Sequence, residues 1–230
     1  MRFVLVLAVV VTITGDRLDA ARDANDSAPA ITVQIHDYVH LPPGDLAAAS
    51  GVVTGIYKSI GVHTEWLMPM RQQPFGGSSS PGSHARPGLG NVEGPHSAYD
   101  PQAPIAQVTV IVLTPAMTVR GHIPEGILGF AAVPTDGGIG RIAYVIYDRV
   151  QAQASTGVID EPSLFGLVMA HEIGHLLLGP GSQSDSGLMK GYWEREDLQR
   201  FRMLRPQFSR SEADQIRAAL AIESDAQASR

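Results

Sequence analysis

The stretch Asp160-Glu-Pro-Ser-Leu-Phe-Gly-Leu-Val-Met-Ala-His171-Glu172-Ile-Gly-His175-Leu-Leu-Leu-Gly179-Pro180-Gly181 decides how the rest of the chain is read. Asp160 followed by Glu161 and Pro162 marks a helix start, with an acidic first turn and a proline where its missing N–H is not needed. Gly179-Pro180-Gly181 is a stop. Between these signals Leu164, Phe165, Val168, Met169, Leu176, Leu177 and Leu178 leave little polar surface, so the helix is expected to be buried. His171, Glu172 and His175 then enter the interior, where imidazole and carboxyl groups need partners. Histidines four apart share one helix face and can grip one cation. Neutral imidazole suits Zn²⁺. Zinc lowers the pKa of a coordinated water towards ~7 and polarises a carbonyl. Glu172, beside the first histidine, is placed to take the proton of that water as general base. The plainer alternative is a pair of core histidines held by ordinary hydrogen bonds.

Downstream, the run His171-Glu-Ile-Gly-His-Leu-Leu-Leu-Gly179 is followed by Ser184-Asp-Ser-Gly-Leu-Met189 and Trp193. Together they resemble metzincin-type zinc peptidases of the zincin class. The likeness is closer to a group of bacterial proteins with the pattern H-E-x-G-H-L-L-L-G-x-x-x-H-S-x-x-G-x-M-x-x-x-W. Upstream, residues 128–150 are similar to the strand, loop and edge strand that precede the metzincin active-site helix. The resemblance implies an α/β (α+β) fold. Its twisted mixed sheet would have an antiparallel edge strand and pack on the active-site helix and carboxyl-terminal helices. Met189 would lie in a turn beneath the metal; as a residue alone it reads equally as core filling.

Two features depart from that pattern. Metzincins place Gly three residues after the second histidine, whereas Gly179 comes four after His175. The closer group has a third histidine where this chain has Gln183, and an amide oxygen is a poorer zinc donor than imidazole. The third ligand therefore stays open. Gln183 has the position and Asp185 the better chemistry. Glu194 or Glu196 on the next expected helix, and His122 in Arg120-Gly-His-Ile-Pro124, are the others. Tyr192, three after Met189, is either a donor to a developing oxyanion or an ordinary tyrosine.

Further outward, residues 31–39 alternate as a strand and residues 45–60 carry apolar residues at helical spacing. Residues 61–67 turn into a second strand, so a parallel strand–helix–strand unit is expected. Residues 107–113 form the most apolar strand, expected at the centre. Residues 127–133 and 141–150 read as two more strands around a turn at 134–138. The second would be the edge along which an extended peptide pairs. Tyr144 and Tyr147, three apart on it, would face opposite sides. Residues 192–203 and 211–222 read as amphipathic helices. Residues 71–104 are rich in Gly, Ser and Pro and read as a surface insertion, with His84 and His96 as solvated histidines.

Hydrophobic residues make up 44% of 230, enough for one packed domain, expected over 22–230. Net charge is -6, from 17 basic and 23 acidic residues, and no basic run occurs, which argues against nucleic acid as a partner. Residues 1–21 read as a signal peptide, with Arg2, an apolar run over 3–13 and a small-residue site at Asp19-Ala20-Ala21. That run is too short to span a bilayer, so a secreted or periplasmic protein without a stable anchor is expected. With no cysteine, disulfides and thiolate ligands are excluded. The expectation is thus a zinc-dependent peptidase acting on a peptide or protein substrate. The alternative is a weak or inactive metal- or peptide-binding relative, motivated by Gln183. Oligomeric state is not legible.

Overall fold

The computed structural model describes residues 28–67, 105–134 and 138–229. The expected leader at 1–21, the insertion at 71–104 with His84 and His96, and the middle of the turn at 134–138 lie outside the described residues.

Strand β1 (Ala30–Asp37) buries Ile31, Val33 and Ile35 on one face. It stops two residues before the expected end because Asp37 turns the chain. The Asp37 carboxylate accepts the N–H groups of Val39, His40 and Leu41 at 2.9, 2.9 and 2.7 Å, which takes them out of any ladder. Helix α1 (Pro43–Ser59) and strand β2 (His63–Leu67) follow, and β2 lies parallel to β1 as expected. Strand β3 (Ile105–Leu113) pairs in parallel with the other side of β1, and Val108, Val110 and Val112 continue the buried face. It is the central strand of five, in the order β2-β1-β3-β5-β4. A short helix α2 (Pro115–Arg120) comes next, unforeseen in the sequence; Thr114 caps it by accepting from the Met117 N–H.

The region after α2 corrects one expectation. Strand β4 (Gly129–Ala132) is the antiparallel edge, and β5 (Ile142–Ile146) is interior, between β3 and β4. Residues 141–150 are therefore neither one strand nor the edge. At Tyr147 the chain turns into helix α3 (Tyr147–Ala154). The reason is packing. Tyr147, Val150 and Ala154 are the buried residues of this segment, and their spacing fits a helix and not a strand. Tyr147 also donates its hydroxyl to Glu161 and sets its ring edge-on to Phe165, centroids 5.4 Å apart.

Helix α4 (Glu161–Leu178) begins where Asp160 accepts the Ser163 N–H and ends at Gly179, whose φ of 85° suits only glycine. It crosses α1 closely: a Cβ on Gly166 would meet the Ala49 carbonyl oxygen at 2.6 Å. Helix α5 (Arg195–Met203) starts three residues later than expected, because Glu194 and Asp197 form a reciprocal capping box there. Helix α6 (Arg210–Ala228) begins with a similar exchange between Ser209 and Glu212. The result is a mixed α/β fold, with a five-stranded mixed sheet and six helices among the described residues. One continuous core joins the inner face of the sheet to α1, α4 and α6. Among the described residues no helix is long and apolar enough to cross a membrane.

Candidate metal centre

Helix α4 brings His171, Glu172 and His175 together on the floor of a cavity of about 440 Å³. His171 and Glu172 are 8% and 5% exposed, so the site is cut into the core. The two imidazole Nε2 atoms stand 3.0 Å apart. Each ring is held from behind. His171 Nδ1 lies 2.7 Å from the Leu188 carbonyl oxygen, and His175 Nδ1 lies 2.7 Å from the Ser182 hydroxyl. Trp193 presents its ring edge-on to His171 at 5.4 Å. Met189 is fully buried, and its sulfur occupies the space that glycine leaves at Gly174, where a Cβ would be 2.7 Å from Sδ. The methionine thus sits against the helix between the two histidines.

Glu172 faces the edge strand. A Cβ on Gly129 would come within 2.9 Å of both Glu172 Cγ and Oε1 and within 2.8 Å of the Tyr144 carbonyl oxygen. Only glycine lets β4 pass so close to this carboxyl group. Burial pushes the Glu172 carboxyl up to about 8. Burial, and secondarily the neighbouring His171, push His175 down to about 4. Burial also lowers His171, against the opposing pull of the Leu188 carbonyl. The site thus sets a buried carboxyl, in no ion pair among the described residues, beside two imidazoles that burial keeps neutral.

Do these residues fit zinc? Two imidazoles on one tetrahedral zinc at 2.0–2.1 Å each place their nitrogens about 3.3 Å apart. The observed 3.0 Å lies close to that, and both histidines line the cavity. The pair fits. Among the described residues, no third His, Cys, Asp or Glu joins them in a group able to hold a metal. Gln183 stands in the cavity wall, its amide lying over Gly191, where a Cβ would be 2.8 Å from Oε1. Asp185 is exposed and forms no part of that wall. Glu194 caps α5 and pairs with Lys190, while Glu196 is exposed. His122 is exposed with a left-handed φ of 51° and does not line the cavity. Of the candidates for a third ligand, the structure brings only Gln183 to the histidines' cavity.

Tyr192 lies at the cavity mouth, 73% exposed. Tyr144 stacks on Phe130 at 4.5 Å, and Tyr147 belongs to α3. Sequence reasoning missed Ser182, the Leu188 carbonyl, Gly129 and Lys190. Lys190 lines the cavity and pairs with Asp197 at 2.6 Å, which raises the lysine and lowers the carboxyl from their ordinary values. No residue pattern announces a hydroxyl or carbonyl behind a ring, because those contacts arise only when the loop folds back. Compared with known protein families and with curated proteins, the sequence matches none.

Proposed function

We propose that the protein is a zinc-dependent peptidase of the zincin type, with His171 and His175 as metal ligands and Glu172 as general base. The observation that supports it most is the convergence of the two Nε2 atoms at 3.0 Å beside a buried carboxyl, in a cavity bordered by a strand edge. Strand β4 pairs with β5 on one side only among the described strands, so its other side can take an extended peptide by backbone pairing. Such a peptide would run past Gly129 and so past Glu172. When bound, zinc would activate a water and polarise the scissile carbonyl. Glu172 must be ionised to accept a proton, and burial alone holds it at about 8; a cation between the histidines would lower that value and favour the ionised form. Leu164, Val168 and Leu198 give the cavity an apolar side next to the histidines and Glu172.

Turnover of an unfolded protein by zinc-loaded enzyme tests this reading, with Glu172→Ala as control. Cleavage by the wild type alone is expected; no cleavage by either overturns it. A second reading, a protein of this fold that binds metal or peptide without cleaving, is favoured by the incomplete donor set around Gln183. Zinc binding at one per chain without turnover would select it.

A further inference from the structure

Strand β4 offers a peptide only part of its backbone, and a guanidinium marks where that part begins. In an antiparallel ladder, alternate residues turn both backbone groups to the neighbouring strand, and the residues between turn both away. The Ile146 N–H donates to the Leu128 carbonyl at 2.8 Å, which sets the alternation. Phe130 lies opposite Tyr144 and Ala132 opposite Ile142 in the same register. Leu128, Phe130 and Ala132 therefore face β5. Gly129 and Ala131 turn their N–H and C=O groups to the other side, where no described strand lies. Both line the cavity that holds the histidines.

By the same alternation, Ile127 would be the next residue to offer a carbonyl to a peptide. That carbonyl is already taken. Arg149, on α3, donates from Nη1 to the Ile127 and Pro124 carbonyls at 2.9 and 2.6 Å, and from Nη2 to the Ile123 carbonyl at 3.3 Å. One side chain thus gathers three carbonyls of the connection between α2 and β4. That connection bends through two left-handed residues, His122 at φ 51° and Gly126 at φ 86°. A rigid fork of five N–H groups can hold several carbonyls at once, which the point charge of an ammonium does less well. We propose that Arg149 is a positioning residue: it closes the peptide-binding edge at Ile127, so that an extended substrate must pair with Gly129 and Ala131. The proposal rests on the peptidase reading and adds what fixes the register. Gly129 is where β4 touches Glu172, since a Cβ there would be 2.9 Å from Oε1. A peptide held to Gly129 has one backbone position beside the carboxyl. A slip moves it by about two residues, the period of a ladder, and presents a different bond.

Zinc-loaded wild type, Arg149→Ala and Arg149→Lys can be compared on one unstructured protein, with products sized by mass spectrometry and amide hydrogen exchange followed in each chain. Arg149→Ala should raise KM roughly tenfold, the size of a lost charge-assisted hydrogen bond, with a smaller change in kcat because the pairing serves ground and transition states alike. New products should appear with ends displaced by about two residues. Exchange should quicken over residues 123–128 and stay slow in α4. Arg149→Lys keeps the charge without the fork and should fall between; it also remains readable if the alanine variant does not fold. Unchanged exchange over 123–128 would mean that the guanidinium holds nothing, and the proposal falls. Faster exchange with the KM and cleavage sites of wild type would separate the clamp from the substrate and overturn it equally. A wild type that cleaves nothing would sink the peptidase reading itself, and the register role with it.

Discussion

Helix α4 and the loop after it, residues 179–194, build the same cavity by different means. The helix contributes His171, Glu172 and His175 from one face of a regular element, and its buried neighbours fix where that face points. The loop contributes Gln183 and Trp193 to the wall, and Ser182, the Leu188 carbonyl and Met189 behind the histidines, from irregular backbone that includes a bridge between Ser184 and Lys190. Helical spacing makes the first set a property of periodicity. The second depends on where each loop atom lands. The helix therefore supplies the two imidazoles and the carboxyl, while the loop supplies the groups behind each imidazole and brings Gln183 into their cavity.

The largest effects should come from the helix. His171→Ala or His175→Ala should take zinc from about one per chain to none, because a pair of ligands cannot lose a member and keep a catalytic site. Elemental analysis of the purified variants checks this. Stoichiometric zinc in both would mean that the loop, not the helix, holds the metal, and the contrast would invert.

Glu172→Gln should keep the zinc and lower hydrolysis by ~10²–10⁴-fold, the usual worth of a general base. The same substitution should alter the metal-free protein in the opposite sense. The carboxyl is held at about 8 when folded, above its ordinary value when unfolded. Between those values the folded state binds a proton that the unfolded state does not, so stability from this group is present at low pH and lost as pH rises through the window. The loss is on the order of 5 kcal/mol. Glu172→Gln should remove this slope and raise the melting temperature of the metal-free protein at pH 8. Equal melting temperatures across that range would mean that the site is wetter than its burial suggests.

The same division explains what was legible in the sequence. The β1–α1–β2 unit, the central place of β3 and the bounds of α4 follow from alternation, helical spacing, and the Asp160 and Gly179 signals. Within the candidate site, the helical histidine pair and Glu172 were legible for the same reason. Residues 141–150 misled because Ile142 to Ile146 is a strand in truth and the apolar pattern continues through Tyr147 and Val150; nothing local marks the switch of period, which is imposed by contact with Phe165 and Glu161 on α4. Ser182 stayed hidden because a serine in a Gly/Ser-rich loop looks the same whether or not it meets a ring nitrogen. Gly129 stayed hidden because its neighbour, Glu172, is distant in sequence.

Gly129 ties the helix to the strand edge. Gly129→Ala forces a methyl to within 2.9 Å of the Glu172 side chain and 2.8 Å of the Tyr144 carbonyl. Overpacking of this kind should destabilise by about 1–3 kcal/mol, and activity should fall further than stability, since the displaced group is the proposed base. Chemical denaturation beside a peptidase assay separates the two. A stable variant with unchanged turnover would place Glu172 outside the reaction.

The smallest effect, and the one that bears most on the loop, concerns Gln183. It is the only candidate for a third ligand that shares the histidines' cavity, and it carries the weaker donor. If the loop already aims position 183 at the pair, Gln183→His should tighten zinc roughly tenfold, comparable to what contacts behind a ligand are worth, and should raise any turnover in step. Asp185→Ala is the matched control. Asp185 is exposed and outside the cavity wall, so its loss should leave zinc affinity unchanged. Titration of both variants against a zinc-buffered chelator decides between them. Zinc released by Asp185→Ala would mean that the loop rearranges around the metal and brings Asp185 inward. Zinc unaffected by either substitution would remove the loop from the donor set, and the helix pair would then have to be completed by solvent alone, as in a site that binds metal weakly and exchanges it freely.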